Sequence, residues 1–346
     1  MIQLIKSANN TTVNSPGKIN LHLAVGKKRE DGFHELESVF AALDFADSLT
    51  FSLLPENKAE TRLTMQKDGP FLELSQKGRF FPPLPTEKNL IYLASELFRA
   101  KTGLQRNLSI ELIKRIPPGS GLGGGSSNAA TTLLALNVLS GEKLPGEELL
   151  DLAARLGSDV PFFVEIALKN PVKSPARLVS GRGEIFRLLT PPPPLGVLLA
   201  FPGFISNTAA AFKLLDQMRP ANKAPDYLPS KDFSWESLEN WDFYNDFQEI
   251  FLNYGADGEK DAYLSILTAL QKAGAAFTGI SGSGSTCFGI FSSPEAATKA
   301  QKKMEGILNE LKPCIPISKP RVFILQSTFF LRYSKNRLYN IVNRNG

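Results

Sequence analysis

The sequence is short of the residues that mark several common chemistries. Its 346 residues hold two cysteines, Cys287 and Cys314, and two histidines, His22 and His34. Two cysteines make no disulfide framework, which suits a reducing compartment. No uninterrupted apolar stretch is long enough to cross a bilayer. No apolar core of a secretory signal follows Met1, so a cytoplasmic protein is expected. No cluster of carboxylates announces a protein-built metal cage, and no internal repeat is visible. What remains is ordinary: 42% hydrophobic and 21% charged residues describe a soluble globular chain, with length for two modest domains or one large one.

Charge is unevenly placed. The net charge is +5, yet Lys319, Arg321, Arg332, Lys335, Arg337 and Arg344 are uncompensated between residue 319 and Gly346, so the preceding body is near neutral at −1. A basic tail could meet nucleic acid or an anionic membrane. The plainer reading is a loosely held terminal extension, and neither partner is expected.

Apolar alternation within 16–28 and 36–54, at Ile19–Val25 and Leu49–Leu53, predicts strands of an antiparallel sheet. Helical spacing predicts a helix over Glu87–Lys101, and a strand follows at Leu108–Ile113. Further helices are expected from about Ser127 to Leu139 and over Gly146–Leu156, the latter closed by Gly157. Pro191–Pro194 can continue neither helix nor central strand and makes a joint. Beyond it come strand Leu195–Phe201, helix Ala262–Ala273, strand Cys287–Phe291, helix Pro294–Leu311 and strand Val322–Leu325. Strands and helices mix without a regular period, which predicts an α+β class.

The chemistry concentrates in Pro117–Ser127, where five glycines and three serines lie between a strand and an apolar helix. Glycine lets backbone approach a ligand closely. The first N–H groups of a helix lack internal partners, and its N-terminus carries about half a positive charge. Together these make a polyphosphate site. The loop lacks the Gly-Lys-Ser/Thr ending of a Walker A motif and the acidic residue of a dinucleotide fold.

This segment resembles the central motif of the GHMP kinases, the superfamily of galactokinase, homoserine kinase and mevalonate kinase. Ser15-Pro-Gly-Lys-Ile-Asn-Leu21 resembles its first motif, and Gly279-Ile-Ser-Gly-Ser-Gly-Ser285 its third. Arg29–Leu36, Gly157–Phe163 and Asn245–Phe247 are similar to the branch that phosphorylates the 2-hydroxyl of 4-diphosphocytidyl-2-C-methyl-D-erythritol in the non-mevalonate isoprenoid pathway. The resemblance implies two domains. One, residues 1–190, would bind ATP on a ribosomal-S5-domain-2-like fold. The other, 195–325, would be ferredoxin-like, with a basic extension over 326–346. Homoserine- or mevalonate-type kinases and a non-catalytic nucleotide-binding regulator remain the alternatives.

The resemblance also assigns roles. Asp159, which alone would read as a turn residue, becomes the catalytic base. Lys18, otherwise a solvated lysine, becomes its partner; an ammonium there favours the anionic forms of a hydroxyl and a γ-phosphate. Asn20 shares the face of Lys18 by the two-residue period and would orient the hydroxyl. His22 falls on that face too, but a structural role is expected for it. Phe33 and His34 are the cytosine readers; similar enzymes usually carry Tyr where this chain has Phe33. Phe212 would supply the opposite face, Thr208 a nearby contact, and Gly282, Ser283 and Gly284 N–H groups for phosphate. ATP, the co-substrate, would meet Asn89, Lys114, Pro117, Pro118, Gly119, Ser120, Gly121, Leu122, Gly123, Gly124, Gly125, Ser126 and Ser127. Asn89 also reads as a helix cap and Lys114 as a solvated strand end. Mg²⁺ is expected on phosphate and water, with Ser126 or Ser127 as candidate ligands. The partner is a cytidine-diphosphate-linked sugar alcohol, and the chain a monomer or homodimer. Two departures stand out: the stretch 164–180 is longer and more basic than in similar enzymes, and no resemblance extends beyond about Leu325.

Overall fold

The computed structural model describes residues 5–6, 10–55, 60–76, 86–169, 174–219, 235, 241–311 and 323–328. Part of the 164–180 stretch, residues 170–173, and the basic segment after Thr328 lie outside them.

The first half is built on two long strands, β2 (Asn10–Lys28) and β3 (His34–Leu54), following the short β1 (Ile5–Lys6). They pair antiparallel along nearly their whole length, far beyond the runs that alternation picks out. Register shifts at Pro16/Lys18 and Asn20/His22 explain the shortfall: each bulge breaks the two-residue period, and Pro16 sits in one, where its missing N–H costs no ladder bond. The C-terminal half of β3 pairs β5 (Asn107–Lys114), which pairs β4 (Thr61–Lys67) in parallel. Its N-terminal half pairs β6 (Ala176–Gly181), which turns back as β7 (Ile185–Leu188). The result is a seven-stranded sheet.

A short helix, α1 (Gly69–Gln76), follows β4. Helices α2 (Leu90–Thr102), α3 (Gly124–Leu139), α4 (Gly146–Leu156) and α5 (Val160–Leu168) enclose a core with the sheet, in which Phe51, Phe98, Leu133 and Phe162 are buried together. The helix expected from Glu87 splits into a 3₁₀ turn, Thr86–Lys88, and α2, which Asn89 caps through its side-chain oxygen, 3.0 Å from the Ile91 N–H. The helix expected from Ser127 starts three residues earlier, so Gly124 and Gly125 belong to its first turn. Helix α5 escaped the sequence analysis because VPFFVEIAL is buried nearly all round and shows no polar face. Its Pro161 is tolerated in the first turn, where no N–H is needed.

The second half runs β8 (Gly196–Phe201), α6 (Thr208–Met218), α7 (Asp246–Tyr254), α8 (Asp257–Lys272), β9 (Phe277–Ile280), β10 (Cys287–Phe291), α9 (Pro294–Leu311) and β11 (Phe323–Thr328). Its antiparallel sheet has the order β11-β8-β10-β9. Numbered within the unit, that is 4-1-3-2, the arrangement of a ferredoxin-like fold. Strand β11 runs three residues past Leu325, pairing Gln326, Ser327 and Thr328 with β8. All six residues of β8 are buried: the helices cover one side, and on the other Val197, Leu199 and Phe201 meet Ile19, Leu21 and Leu43 of the first sheet. That apolar seam fixes the two halves against each other.

Candidate active site

The cavity is about 780 Å³, within the range of small-molecule sites. One end is made of backbone. Strand β5 delivers the chain to Arg115 and Ile116, whose N–H groups donate to Asp47 Oδ1 at 2.7 and 2.8 Å. The loop then turns through Gly119, Gly121 and Gly123, all at positive φ, into the N-terminus of α3. It interlocks with a second glycine turn, 281–286. Thr286 N–H donates to the Ser120 carbonyl at 3.0 Å, and Ser281 Oγ to the Gly121 carbonyl at 2.9 Å. A Cβ on Gly121 would lie 2.1 Å from the Ser281 carbonyl oxygen, so only glycine fits that contact. Asn245 holds the second turn from behind, its amide donating to the carbonyls of Ile280 (2.7 Å) and Gly282 (2.8 Å). Its neighbour Asp246 accepts from Val25 N–H at 2.6 Å and Arg219 at 3.0 Å. The Asn-Asp pair thus ties α7 both to the turn and to β2.

Of the predicted loop residues, Pro117, Pro118, Gly119, Ser120, Gly121, Gly123, Gly124, Gly125 and Ser126 line the cavity. Leu122 and Ser127 do not. Leu122 is packed in the seam while its carbonyl accepts the Lys18 N–H at 2.9 Å, and Ser127 Oγ accepts from Ser15 Oγ at 2.7 Å. Lys114 is neither a solvated strand end nor part of the cavity wall, because its ammonium is buried beneath the loop in an ion pair with Asp47. Burial pulls the Lys114 pKa down and Asp47 opposes that shift. Asn128 Nδ2 donates to the same carboxylate at 3.0 Å. Asn89 caps α2, and it is the next residue, Leu90, that reaches the cavity.

At the centre, Lys18 and Asp159 come together from opposite sides of the loop in sequence. Lys18 is buried on β2, and its Nζ lies 3.5 Å from Asp159 Oδ2, 2.5 Å from Asn20 Oδ1 and 4.7 Å from the centre of the Phe40 ring. Asp159 stands at the N-cap of α5 but makes no side-chain cap bond; its carboxylate is one-third exposed, toward the cavity. Asn20 is oriented in turn by its amide, which donates to Ser38 Oγ at 2.9 Å. Gly282 and Ser283 close the wall opposite: a Cβ on Gly282 would sit 3.3 Å from Asn20 Oδ1 and 3.6 Å from Lys18 Nζ. Gly284 does not line the cavity; its N–H donates to the Ser281 carbonyl at 2.9 Å within the turn. Thr208 lies beside this turn, its hydroxyl 2.9 Å from Ser283 Oγ.

His22 does not share this face, contrary to the simple two-residue count. The bulge between Asn20 and His22 resets the period, so Leu23 lines the cavity instead. The His22 ring packs on Phe243 and Tyr244 and accepts from the Tyr244 N–H at 3.3 Å. Burial lowers its pKa to about 4.

The other end is built of side chains. His34, at the start of β3, is stacked on Phe212 of α6, with ring centres 5.2 Å apart and planes at 21°. Its Nε2 lies 2.8 Å from Asp216 Oδ1. Phe33 is half exposed, and the Arg182 guanidinium lies 5.1 Å from its ring centre. Phe212 therefore faces His34 directly, and Arg182 is the group found over Phe33. Sequence reasoning missed Arg182 and Asp216. Both are charged residues in unremarkable surroundings, and only the tertiary fold brings them to the cavity.

A two-domain α+β fold with interlocked glycine turns around a Lys–Asp pair defines the class, and family models agree: the GHMP kinases N terminal domain matches residues 89–165 and the GHMP kinases C terminal domain residues 234–309. The chain belongs to the 4-diphosphocytidyl-2-C-methyl-D-erythritol kinase family of these ATP-dependent small-molecule kinases. It is 33% identical to the kinase of that name from Thermodesulfovibrio yellowstonii, over 84% of this chain and 92% of that protein. With the Prochlorococcus marinus kinase it shares 36% identity, over 83% and 88%. A crystal structure of 4-(cytidine 5'-diphospho)-2C-methyl-D-erythritol kinase superposes with a TM-score of 0.64 at 27% identity, covering 92% of this chain and 99% of that one. Homoserine kinase from Cytophaga hutchinsonii, 20% identical with a TM-score of 0.56 over 94% of this chain and 96% of its own, shares the fold. Among the described residues no helix is long and apolar enough to cross a membrane.

Proposed function

We propose that the chain transfers the γ-phosphoryl group of ATP to the 2-hydroxyl of 4-diphosphocytidyl-2-C-methyl-D-erythritol. The observation that carries this reading is the Lys18–Asp159 pair, 3.5 Å apart, lying between a backbone phosphate site and an aromatic, hydrogen-bonding pocket. The N–H groups at the start of α3 hold the triphosphate. The cytidine lies toward Phe33, His34 and Phe212, which brings the methylerythritol hydroxyl to the centre.

Asp159 accepts the hydroxyl proton as the substrate oxygen attacks the γ-phosphorus. The new O–P bond forms, the bond to the bridging oxygen breaks, and ADP leaves. Lys18 offsets the negative charge developing on the transferred group. Asn20, held by Ser38, keeps Lys18 aimed. Gly282 and Ser283 offer N–H groups to phosphate.

Among the described residues no three His, Cys, Asp or Glu side chains are grouped to hold a metal ion. We place a Mg²⁺ ion mainly on phosphate and water, with Ser126, which lines the cavity, as the protein ligand. The ion would neutralise charge on the phosphates. The reaction suits a cytoplasmic enzyme with a small-molecule acceptor, acting as a monomer or homodimer.

The test is a coupled ADP-release assay over a panel of alcohols. ADP release dependent on the cytidine-linked methylerythritol is expected. Turnover of homoserine or mevalonate in its place would overturn the substrate, and nucleotide binding without any phosphorylated product would overturn the activity.

A further inference from the structure

The base end of the cavity contains a pair that the phosphoryl transfer does not use. His34 Nε2 lies 2.8 Å from Asp216 Oδ1, and Lys28 Nζ stands 3.2 Å from the other oxygen of that carboxylate. A carboxylate only accepts, so Nε2 must carry the proton. In a neutral ring this leaves Nδ1 with a lone pair. The ring cannot readily rotate to exchange its nitrogens, because its face is stacked on Phe212 and its side chain is 7% exposed.

Resting on the cytidine substrate proposed above, we propose that Asp216 is a positioning residue for base selection. It fixes the His34 tautomer that accepts a hydrogen bond at Nδ1, so the site favours a pyrimidine bearing an exocyclic amine over one bearing a keto oxygen. Cytosine presents an N4 amine that donates to such a nitrogen. Uracil presents an O4 lone pair, which meets the Nδ1 lone pair acceptor to acceptor and leaves both unsatisfied. Asp216 lies at the edge of the cavity on α6, one turn from Phe212. A single helix thus supplies both the surface that holds the ring plane and the charge that sets its proton.

Two measurements test this. The first needs no substrate: nitrogen-15 NMR of the full chain in alkaline buffer, with only two histidines to resolve and His22→Gln to assign them. His34 should show a protonated Nε2 and an unprotonated Nδ1. The opposite tautomer would overturn the proposal. The second compares kcat/KM for the cytidine-linked substrate and its uridine analogue. In Asp216→Asn the side-chain amide can donate to Nε2, which moves the ring proton to Nδ1. The preference for cytidine should then fall about tenfold or more, and Asp216→Glu should restore it. An Asp216→Asn variant that loses activity on both substrates equally, with the preference intact, would reduce Asp216 to a structural residue and sink the proposal. Should the wild type phosphorylate neither compound, the substrate reading fails, while the NMR result still decides the tautomer.

Discussion

The two ends of the cavity are built from different materials. The phosphate end is backbone: glycines at positive φ, the first turn of α3, and a second glycine turn locked against the first. The base end is side chains from three separated segments, with His34 at the head of β3, Phe212 and Asp216 on α6, and Arg182 on the β6–β7 turn. Backbone N–H groups bind any polyphosphate, so the first end defines a superfamily. Side-chain rings and protons distinguish one base from another, so in the proposed reading the second end defines a substrate. Lys18 and Asp159 lie between them.

Perturbing each region should separate these roles. The largest effect belongs to the centre. Asp159→Asn keeps the shape and removes the proposed proton acceptor, so kcat should fall about 10³-fold while ADP affinity, measured by calorimetry, stays unchanged. A variant retaining most of the rate would move the base elsewhere. Next comes the interlock. In Gly121→Ala the methyl would collide with the Ser281 carbonyl at a residue of φ 77°. Thermal or urea unfolding should show a loss of about 3 kcal/mol or more, and ATP affinity should fall with it. Unchanged stability would mean that the two turns are not rigidly coupled.

These regions were not equally legible. The phosphate loop could be read in the sequence because it is local: a run of glycine and serine between a strand and a helix carries its own physical reason. Lys18 and Asp159 became candidates only through resemblance, since a lone lysine or aspartate has a bland reading of its own. The base end was half visible. Phe33–His34 lie together, but Asp216 is 182 residues from its partner, and no spacing connects them. The reading of Lys114 as a solvated strand end failed because burial of a lysine shows only when Asp47, from β3, is seen beneath the loop. Helix α5 was missed because its residues are buried nearly all round, and His22 was put on the wrong face because a bulge cannot be seen in an alternation count.

His22 supplies a control that lies outside both ends. Burial lowers its pKa to about 4, below the unfolded value near 6.5. As pH falls through that window the unfolded chain takes up the proton first, so folded stability should decline from about pH 6.5 toward pH 4 and then lose no more from this group. The loss near pH 5 should be about 2 kcal/mol relative to about pH 8. His22→Gln should flatten that part of the stability–pH curve in urea titrations. A wild-type curve already flat there would show that the ring charges without cost.

The smallest effect tests the separation itself. Phe212 stacks on His34 and meets Phe247 edge-on at 4.9 Å, so Phe212→Leu keeps an apolar side chain but removes the flat surface. Aromatic pairing contributes about 0.5–1.5 kcal/mol beyond burial, which sets the expected rise in KM for the cytidine-linked substrate at up to about tenfold. KM for ATP should not move, and Phe212→Tyr, which keeps the ring, should restore the substrate value. If both KM values rose together, α6 would be acting on the glycine turn through Thr208 and Ser283, 2.9 Å apart. The two ends would then form one mechanical unit, because a change in stacking would be felt where only backbone binds phosphate.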